Sequence, residues 1–359
     1  MTVLAWPAFN NKTGNPYTSL LYEAVQDLGV SVEDFSGARA LEGGHDLWHL
    51  HWPDDFLSYA SPWTALAYVA AELLLMAQAR ARGVRIVWTI HDLGPHESPH
   101  PWLERLFWPL FLPMVDGYIT LSEHARDAAR RRFPALRAVP GRVVPHGHYR
   151  PAYPSPPPRT EARDEWGLPS GAPVLVHVGR IRPYKNVERL VTAFRRLESD
   201  TARLVVAGNP SREALADRIR QAAGADPCVQ LALRFLPEEE MASVLSAADL
   251  VVLPYDDILH SGTALLALSF NRPVLVPAEG AMGELQDQVG SEWIYTFDGP
   301  LRPDTLSEAL RAAESDRRAA RAPLDDLSWP SLAAETVALY EEVLADAARR
   351  APHSKFLIP

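Results

Sequence analysis

Residues 174–197 read VLVHVGRIRPYKNVERLVTAFRRL, and this stretch decides the fold class. Val174 to Val178 is a short run rich in branched apolar residues, the composition of a strand buried on both faces. From Val187 the apolar positions change to a helical period. Val187, Leu190, Val191, Phe194 and Leu197 share one face of a helix expected over 186–197. Between strand and helix lie Gly179, Arg180 and Lys185. Glycine lets backbone approach a ligand closely, arginine offers phosphate oxygens a planar fork, and lysine offers a point charge. Asn186 is placed to cap the helix, whose N-terminal dipole also favours an anion. Spacing alone leaves two readings open: a diphosphate cradle, or two solvated loop cations.

The alternation continues in both directions. Upstream, strands are expected at Thr2–Trp6, Val30–Asp34, Leu47–His51, Arg85–Ile90, Gly117–Leu121 and Arg142–Val144. Downstream they are expected at Pro173–Val178, Arg203–Ala207, Val229–Leu231, Leu250–Leu253, Pro273–Val276 and Trp293–Tyr295. Helical patterns between them predict an α/β fold with parallel sheets covered on both faces. The run PAYPSPPPRT at 151–160 holds five prolines within eight residues and reads as a stiff spacer. The expected organisation is therefore a Rossmann-like domain over 1–150, a linker over 151–160 and a second Rossmann-like domain over 161–330. The two sheets would face a cleft, and a helix within 331–359 would cross back to the first domain.

Composition narrows the function. With 35 basic and 45 acidic residues the formal net charge is −10, which disfavours a nucleic-acid partner but leaves room for a locally basic anion site. The single cysteine, Cys228, permits no internal disulfide and no cysteine metal cluster. The first residues, MTVLAWPAFNNKTG, lack the basic and apolar regions of a signal peptide, so a cytoplasmic location is expected. The longest apolar stretch, 62–77, contains Glu72 and is shorter than the ~20 residues of a spanning helix.

Several segments together resemble a family. VGRIRPYKNVERLVTAF at 178–194 is similar to the GR-x4-K-x4-L-x-x-AF segment of the family-4-like glycosyltransferases of GT-B fold. VVPHGHY at 143–149, YITLSEHARDAA at 118–129, and VVLPY followed by SGTALLALSFNRPVLVP at 251–277 resemble three further segments of that family, in the same order. The resemblance implies transfer of a hexosyl group from a UDP- or GDP-sugar to a carbohydrate or lipid-linked acceptor. It assigns the donor diphosphate to Gly179, Arg180 and Lys185, with backbone and hydroxyl groups of Ser261, Gly262 and Thr263 assisting. Helix capping is the plain alternative for Ser261 to Thr263. Glu284 stands where the family often places an acidic residue near the ribose; an exposed glutamate at a helix start is the other reading. One departure matters. Retaining members carry Glu-x7-Glu in the donor segment, and those positions are Ile258 and Leu266 here, so no retaining mechanism is inferred.

The acceptor side is sought in the polar and aromatic loops of the first half. Asn15, Tyr17, His51, Trp52, Asp54 and Glu97 are candidate sugar or acceptor contacts, because a sugar has apolar faces and a polar rim. His91 matches a histidine that family members direct at the donor sugar. The His-Leu-His-Trp-Pro run at 49–53 resembles a subgroup of bacterial exopolysaccharide transferases. An inverting transfer needs a general base, for which Asp92, Asp54, Asp55, Glu97 and His91 are available, with Asp92 preferred. A turn or cap role for Asp92 stays open. No HExxH or tight His/Cys spacing is present, so neither metal nor cofactor is expected. The aromatic, apolar stretches around Trp63–Met76 and Trp102–Phe111 suit either helix-to-sheet packing or contact with a bilayer interface. A sugar-nucleotide epimerase of the same fold and a non-catalytic nucleotide-sugar-binding protein are the competing readings.

Overall fold

A computed structural model of the chain describes residues 1–350 apart from 13, 96–98, 198, 257, 316 and 317. Its contacts divide into two compact units, residues 1–147 with the chain from Leu327 onward, and residues 148–326.

The first unit alternates β1 (Thr2–Trp6), α1 (Tyr17–Asp27), β2 (Ser31–Asp34), α2 (Gly37–Glu42), β3 (Leu47–Leu50), α3 (Pro62–Ala81), β4 (Arg85–Ile90), α4 (Pro101–Phe111), β5 (Gly117–Thr120), α5 (Glu123–Arg132) and β6 (Gly141–Val143). The second contains α6 (Arg159–Glu165), β7 (Val174–Val178), α7 (Val187–Phe194), β8 (Arg203–Ala207), α8 (Glu213–Ala223), β9 (Val229–Ala232), α9 (Glu238–Ala247), β10 (Leu250–Val252), α10 (Gly262–Ser269), β11 (Val274–Pro277), α11 (Met282–Val289), β12 (Ile294–Phe297) and α12 (Pro303–Ser315). The last helix, α13 (Trp329–Arg350), belongs to the first unit. All twelve expected strands are present, shifted at most by a residue or two at their ends. The proline-rich segment differs from expectation at one end, since α6 starts at Arg159, as soon as the prolines stop.

Each unit holds one six-stranded sheet in which every pair is parallel. The orders are β2-β1-β3-β4-β5-β6 and β12-β11-β10-β7-β8-β9. Successive side chains of a strand point to opposite faces, and in the first unit this sorts the chemistry. Trp48, Leu50, Trp88 and Ile90 point into a core shared with Leu103, Phe107 and Phe111 of α4. His49 and Thr89 point to the other face and meet Tyr22 of α1 and Tyr340 of α13. Gly117 permits α13 to lie on the sheet, because a Cβ there would come within 2.5 Å of Val343.

Candidate active site

In the second sheet the order reverses beside β7, with β8 and β9 on one side and β10 to β12 on the other. At such a switch point the loops leaving neighbouring strands diverge and open a crevice at the carboxyl ends. Those loops are Gly179–Asn186 after β7 and Leu253–Ser261 after β10. Gly179 has φ +104°, a conformation costly for other residues, and a Cβ there would lie 3.4 Å from Thr263 Oγ1. Gly208, after β8, lets the loop pass, since a Cβ would stand 1.8 Å from the Gly179 carbonyl oxygen. Backbone bonds from Gly179 to Ala207 (3.1 Å) and from Ile181 to Asn209 (2.9 Å) fix the frame. Asp256 N–H donates to the Tyr184 carbonyl at 2.9 Å, tying the two loops together.

Within this frame Lys185 is only 8% exposed, and its ammonium lies 4.9 Å from the centroid of the Tyr255 ring. Among the described residues no carboxylate or hydrogen-bond acceptor meets the ammonium, while the backbone N–H of Lys185 donates to the Arg182 carbonyl at 3.1 Å. Arg180 is exposed on the same loop. The stem is enclosed while the ammonium faces the ring and not a carboxylate, and an anionic ligand would pair with it. Ser261 caps α10, its hydroxyl accepting from Ala264 N–H at 3.1 Å. The first N–H groups of the helix, at Gly262 and Thr263, have no acceptor within it. The structure thus brings Gly179, Lys185 and Ser261 to Thr263 to one switch point.

Two expectations change here, the Asn186 cap and the end of the helix it opens. Asn186 occupies the N-cap position but does not cap α7: its backbone is left-handed at φ +50°, and its buried Nδ2 has no partner. A capping side chain works from extended backbone, which this tight turn does not supply. The helix also ends earlier, at Phe194. Glu284 is exposed in the first turn of α11, the helix-start placement, and the stretch before it is locked to the β10 loop by a bond from Ala281 N–H to the Leu259 carbonyl. Ile258 and Leu266 are buried, at 5% and 8% exposure, so apolar packing occupies the positions of the family's glutamates.

In the first sheet the order reverses between β1 and β3, and the loops after β1, β3 and β4 carry the other candidates. Asp34 shapes the first of these, its Oδ1 accepting from the N–H groups of Ala8 (3.0 Å), Phe9 (3.0 Å) and Asn10 (3.2 Å). Asn15 Oδ1 accepts from Tyr17 N–H at 3.1 Å and starts α1. Tyr17 and His51, expected on the sugar-binding surface, are instead buried at 2% and 1% exposure. They form a wall behind His91, because α1 and α13 cover the face of the sheet to which both point. His51 Nδ1 is 2.9 Å from His91 Nε2, and His51 Nε2 is 2.7 Å from the Tyr22 hydroxyl. That hydroxyl also bonds His49 Nδ1 at 2.8 Å, and His49 continues to Thr89 and Tyr340 at 2.7 and 2.6 Å. Burial pushes His49 down to about 3 and His51 well below its ordinary value, so both rings are neutral. Tyr22, Thr89 and Tyr340 were missed from sequence, where nothing distinguishes them from core residues.

His91 itself is half-buried, with the Trp52 ring stacked on it at 4.4 Å and 22°. Asp92 follows, also half-buried. Asp54 stands among carboxylates. Burial first, then the charges of Asp55, Asp92 and Glu104, push it up to about 7, against a backbone hydrogen bond that favours its ionised form. Glu72 of α3 is 4% exposed with both oxygens unpartnered, and burial, then Asp54 and Asp55, raise it well above the carboxylate range. Glu97 and His96 lie outside the described residues, as does Asp257. Among the described residues no three His, Cys, Asp or Glu side chains gather as metal ligands, and no helix is long and apolar enough to cross a membrane.

A family model described as "Glycosyl transferases group 1" matches residues 158–324, and one described as "Glycosyltransferase Family 4" matches residues 38–148. Over 347 residues the chain is 33% identical to the GDP-mannose:glycolipid 4-beta-D-mannosyltransferase of Xanthomonas campestris pv. campestris, covering 96% of this chain and 93% of the relative. Among solved structures, sucrose-phosphate synthase from Thermosynechococcus elongatus matches with a TM-score of 0.66 at 18% identity, over 97% of this chain and 98% of the other. Anabaena HepE, solved with UDP and glucose, matches with a TM-score of 0.63 at 16% identity, over 97% of both chains. The structural likenesses carry the fold, while the relative of one-third identity carries descent across nearly the whole of both chains: the protein belongs to the family-4-like glycosyltransferases of GT-B fold.

Proposed function

We propose that this glycosyltransferase moves a mannosyl group from GDP-mannose to a lipid-linked carbohydrate, without a metal ion. The observation that carries the donor half is Lys185 at the switch point, its side chain largely buried and its ammonium over the Tyr255 ring, on the loop that also carries Arg180. Two cations and a helix N-terminus suit a leaving diphosphate, whose charge grows as the glycosidic bond breaks. The choice of GDP-mannose over a UDP-sugar follows the name of the Xanthomonas relative.

The chemistry is read as a single in-line displacement. An acceptor hydroxyl oxygen bonds to the anomeric carbon, the bond from that carbon to the diphosphate breaks, and the hydroxyl proton passes to a carboxylate. Asp92 is our choice of base, directly after His91, whose ring is held by Trp52 and His51. Apolar packing at Ile258 and Leu266 supports this reading over one that uses the family's paired glutamates. Glu284 is read as a ribose contact, and Asp54 as an acceptor contact.

A lipid-linked acceptor is supported by α3 and α4. One face of each is buried through Val69, Met76, Leu103 and Phe107. The other exposes Trp63 (77%), Leu74 (70%), Trp102, Leu106 and Leu110, the side chains of a helix pair resting in a bilayer interface.

The test is a transfer assay with GDP-mannose, UDP-glucose and a lipid-linked oligosaccharide, in the presence of EDTA. GDP release matched by a mannosylated lipid is the expected result. Conversion of the sugar nucleotide without an acceptor would favour the epimerase. Binding of GDP-mannose with no turnover would leave a binding protein.

A further inference from the structure

The second unit has a cavity of about 510 Å³ whose lining carries four arginines, Arg159, Arg163, Arg272 and Arg318, against the carboxylates Asp249 and Glu314. Its chemistry follows from which of these charges are already matched. Arg159 and Arg163 lie one helical turn apart on α6 and both reach Asp249. Asp249 is fully engaged: Oδ1 accepts from Arg159, and Oδ2 accepts from Arg163 at 2.7 Å and from Val174 N–H at 2.8 Å. Arg163 is 2% exposed and spends its remaining donors on the carbonyls of Ala247, Pro169 and Ser170. Arg318 bonds the Tyr295 hydroxyl at 3.1 Å and the Ala313 carbonyl at 2.6 Å. These three are scaffold.

Arg272 is different. It sits in the turn between α10 and β11, where its backbone N–H donates to the Ala267 carbonyl at 3.0 Å, while among the described residues its guanidinium makes no hydrogen bond or ion pair. Its Nε is buried without a partner. Burial, with Arg159, Arg163 and Arg318 adding like charge against Asp249, pushes it down to about 10. Glu314 is exposed and makes no bond to it. A desolvated guanidinium facing other guanidinium groups is costly, and a bound oxyanion would relieve it.

We propose that this cavity is a second anion site, taking a small phosphate-bearing ligand through the Arg272 guanidinium. Phosphate offers that planar fork two parallel acceptors. The volume lies within the ~300–1,000 Å³ of small-molecule sites, so a phosphorylated metabolite fits as well as the bare ion. The site is separate from the donor crevice. Pro173, Asp249 and Pro273 precede β7, β10 and β11, whereas the donor loops follow β7 and β10. A five-residue strand puts ~17 Å between its two ends.

The test uses the full chain with inorganic phosphate as probe, in an Arg180→Ala/Lys185→Ala background that silences the donor crevice. Phosphate well above its Kd should raise the thermal midpoint on the order of 3 °C in that background. The rise should vanish when Arg272→Met is added. Without phosphate, Arg272→Met should melt at or above the parent, because it removes an unmatched charge. A missing rise, a rise that survives Arg272→Met, or a ligand-free midpoint lowered by Arg272→Met would each overturn the proposal. Vesicles of phosphatidic acid in phosphatidylcholine separate the two sources of phosphate. Sedimentation that Arg272→Met abolishes assigns a lipid headgroup. Sedimentation unaffected by Arg272→Met, alongside an intact phosphate response, assigns a soluble ligand.

Discussion

His51 Nδ1 and His91 Nε2 lie 2.9 Å apart, so one of these nitrogens carries a proton and the other a lone pair. Because His51 is buried and neutral, its other nitrogen must take the opposite role toward the Tyr22 hydroxyl, 2.7 Å away. The hydroxyl of Tyr22 therefore bears on which nitrogen of His91 is protonated, although Tyr22 touches His91 nowhere. Tyr22→Phe keeps the shape and removes that constraint. It should cost about 1–3 kcal/mol of stability through the unsatisfied His51 nitrogen. It should also lower kcat about tenfold, as a loosely held group does near a reacting centre. Imidazole ¹⁵N shifts provide the check that a merely structural residue would not pass: His91 should change tautomer balance in Tyr22→Phe. Tyr340→Phe removes a hydroxyl that bonds both His49 and Tyr22 but keeps the Tyr22 to His51 bond, so it should lose stability and move the His91 signals less than Tyr22→Phe does.

That chain also marks where the sequence stopped being legible. The twelve strands were readable because parallel strands buried on both faces leave dense Val, Ile and Leu runs with polar turns between them. The candidate phosphate loop could be proposed from sequence because its groups are local: Gly179, Arg180 and Lys185 lie within seven residues. His49 and His51 alternate with apolar residues along and just beyond β3, but the hydrogen-bonded chain that encloses them reaches Tyr340, 291 residues from His49. No local pattern carries that separation, so His51 read as a surface contact. Asn186 failed for a different reason. Its residue type suits a cap, but a left-handed φ of +50° is set by the turn that Pro183 to Lys185 make before it.

Lys185 stands in a similar conflict between function and stability. Its side chain is largely buried and its ammonium lies over the Tyr255 ring with no carboxylate partner among the described residues, so the unliganded fold gains little from the charge. Lys185→Met should leave the ligand-free thermal midpoint unchanged or higher while turnover falls about 10²–10³-fold. The midpoint rise produced by GDP in the wild type should shrink in the variant. Turnover near the wild-type level would remove Lys185 from the donor site.

The proposed displacement gives Asp92 and Asp54 different roles. Asp92→Asn should lower kcat by about 10²–10⁴-fold if it takes the acceptor proton. Asp54→Asn should act on acceptor KM and on stability instead. The native Asp54 carboxyl is pushed up to about 7, so between pH 4 and 7 the unfolded chain releases a proton that the native state keeps. Its contribution to stability therefore falls as pH rises through that window. Asp54→Asn lacks this loss and should be about 2 kcal/mol more stable than the wild type at pH 8, discounted for partial exposure, and nearly equal at pH 4. Melting curves across pH 4–8 make the comparison.

The buried imidazoles dictate the opposite slope. Burial pushes His49 down to about 3 and His146 and His177 down to about 4, and lowers His51 strongly. Below pH ~6.5 the unfolded chain takes up protons at these four sites and the native state does not, so acid favours unfolding. Asp54 and Glu72, which hold protons in the native state, oppose this with two sites. Four against two leaves a net loss of about 2–3 kcal/mol per pH unit on going from pH 6 to pH 4. The thermal midpoint should accordingly fall steeply across that range. His177→Gln should flatten the fall and Asp54→Asn should steepen it. A midpoint that stays level from pH 6.5 to 4.5 would show that the imidazoles titrate as exposed groups and that the hydrogen-bonded chain behind His91 is open to water.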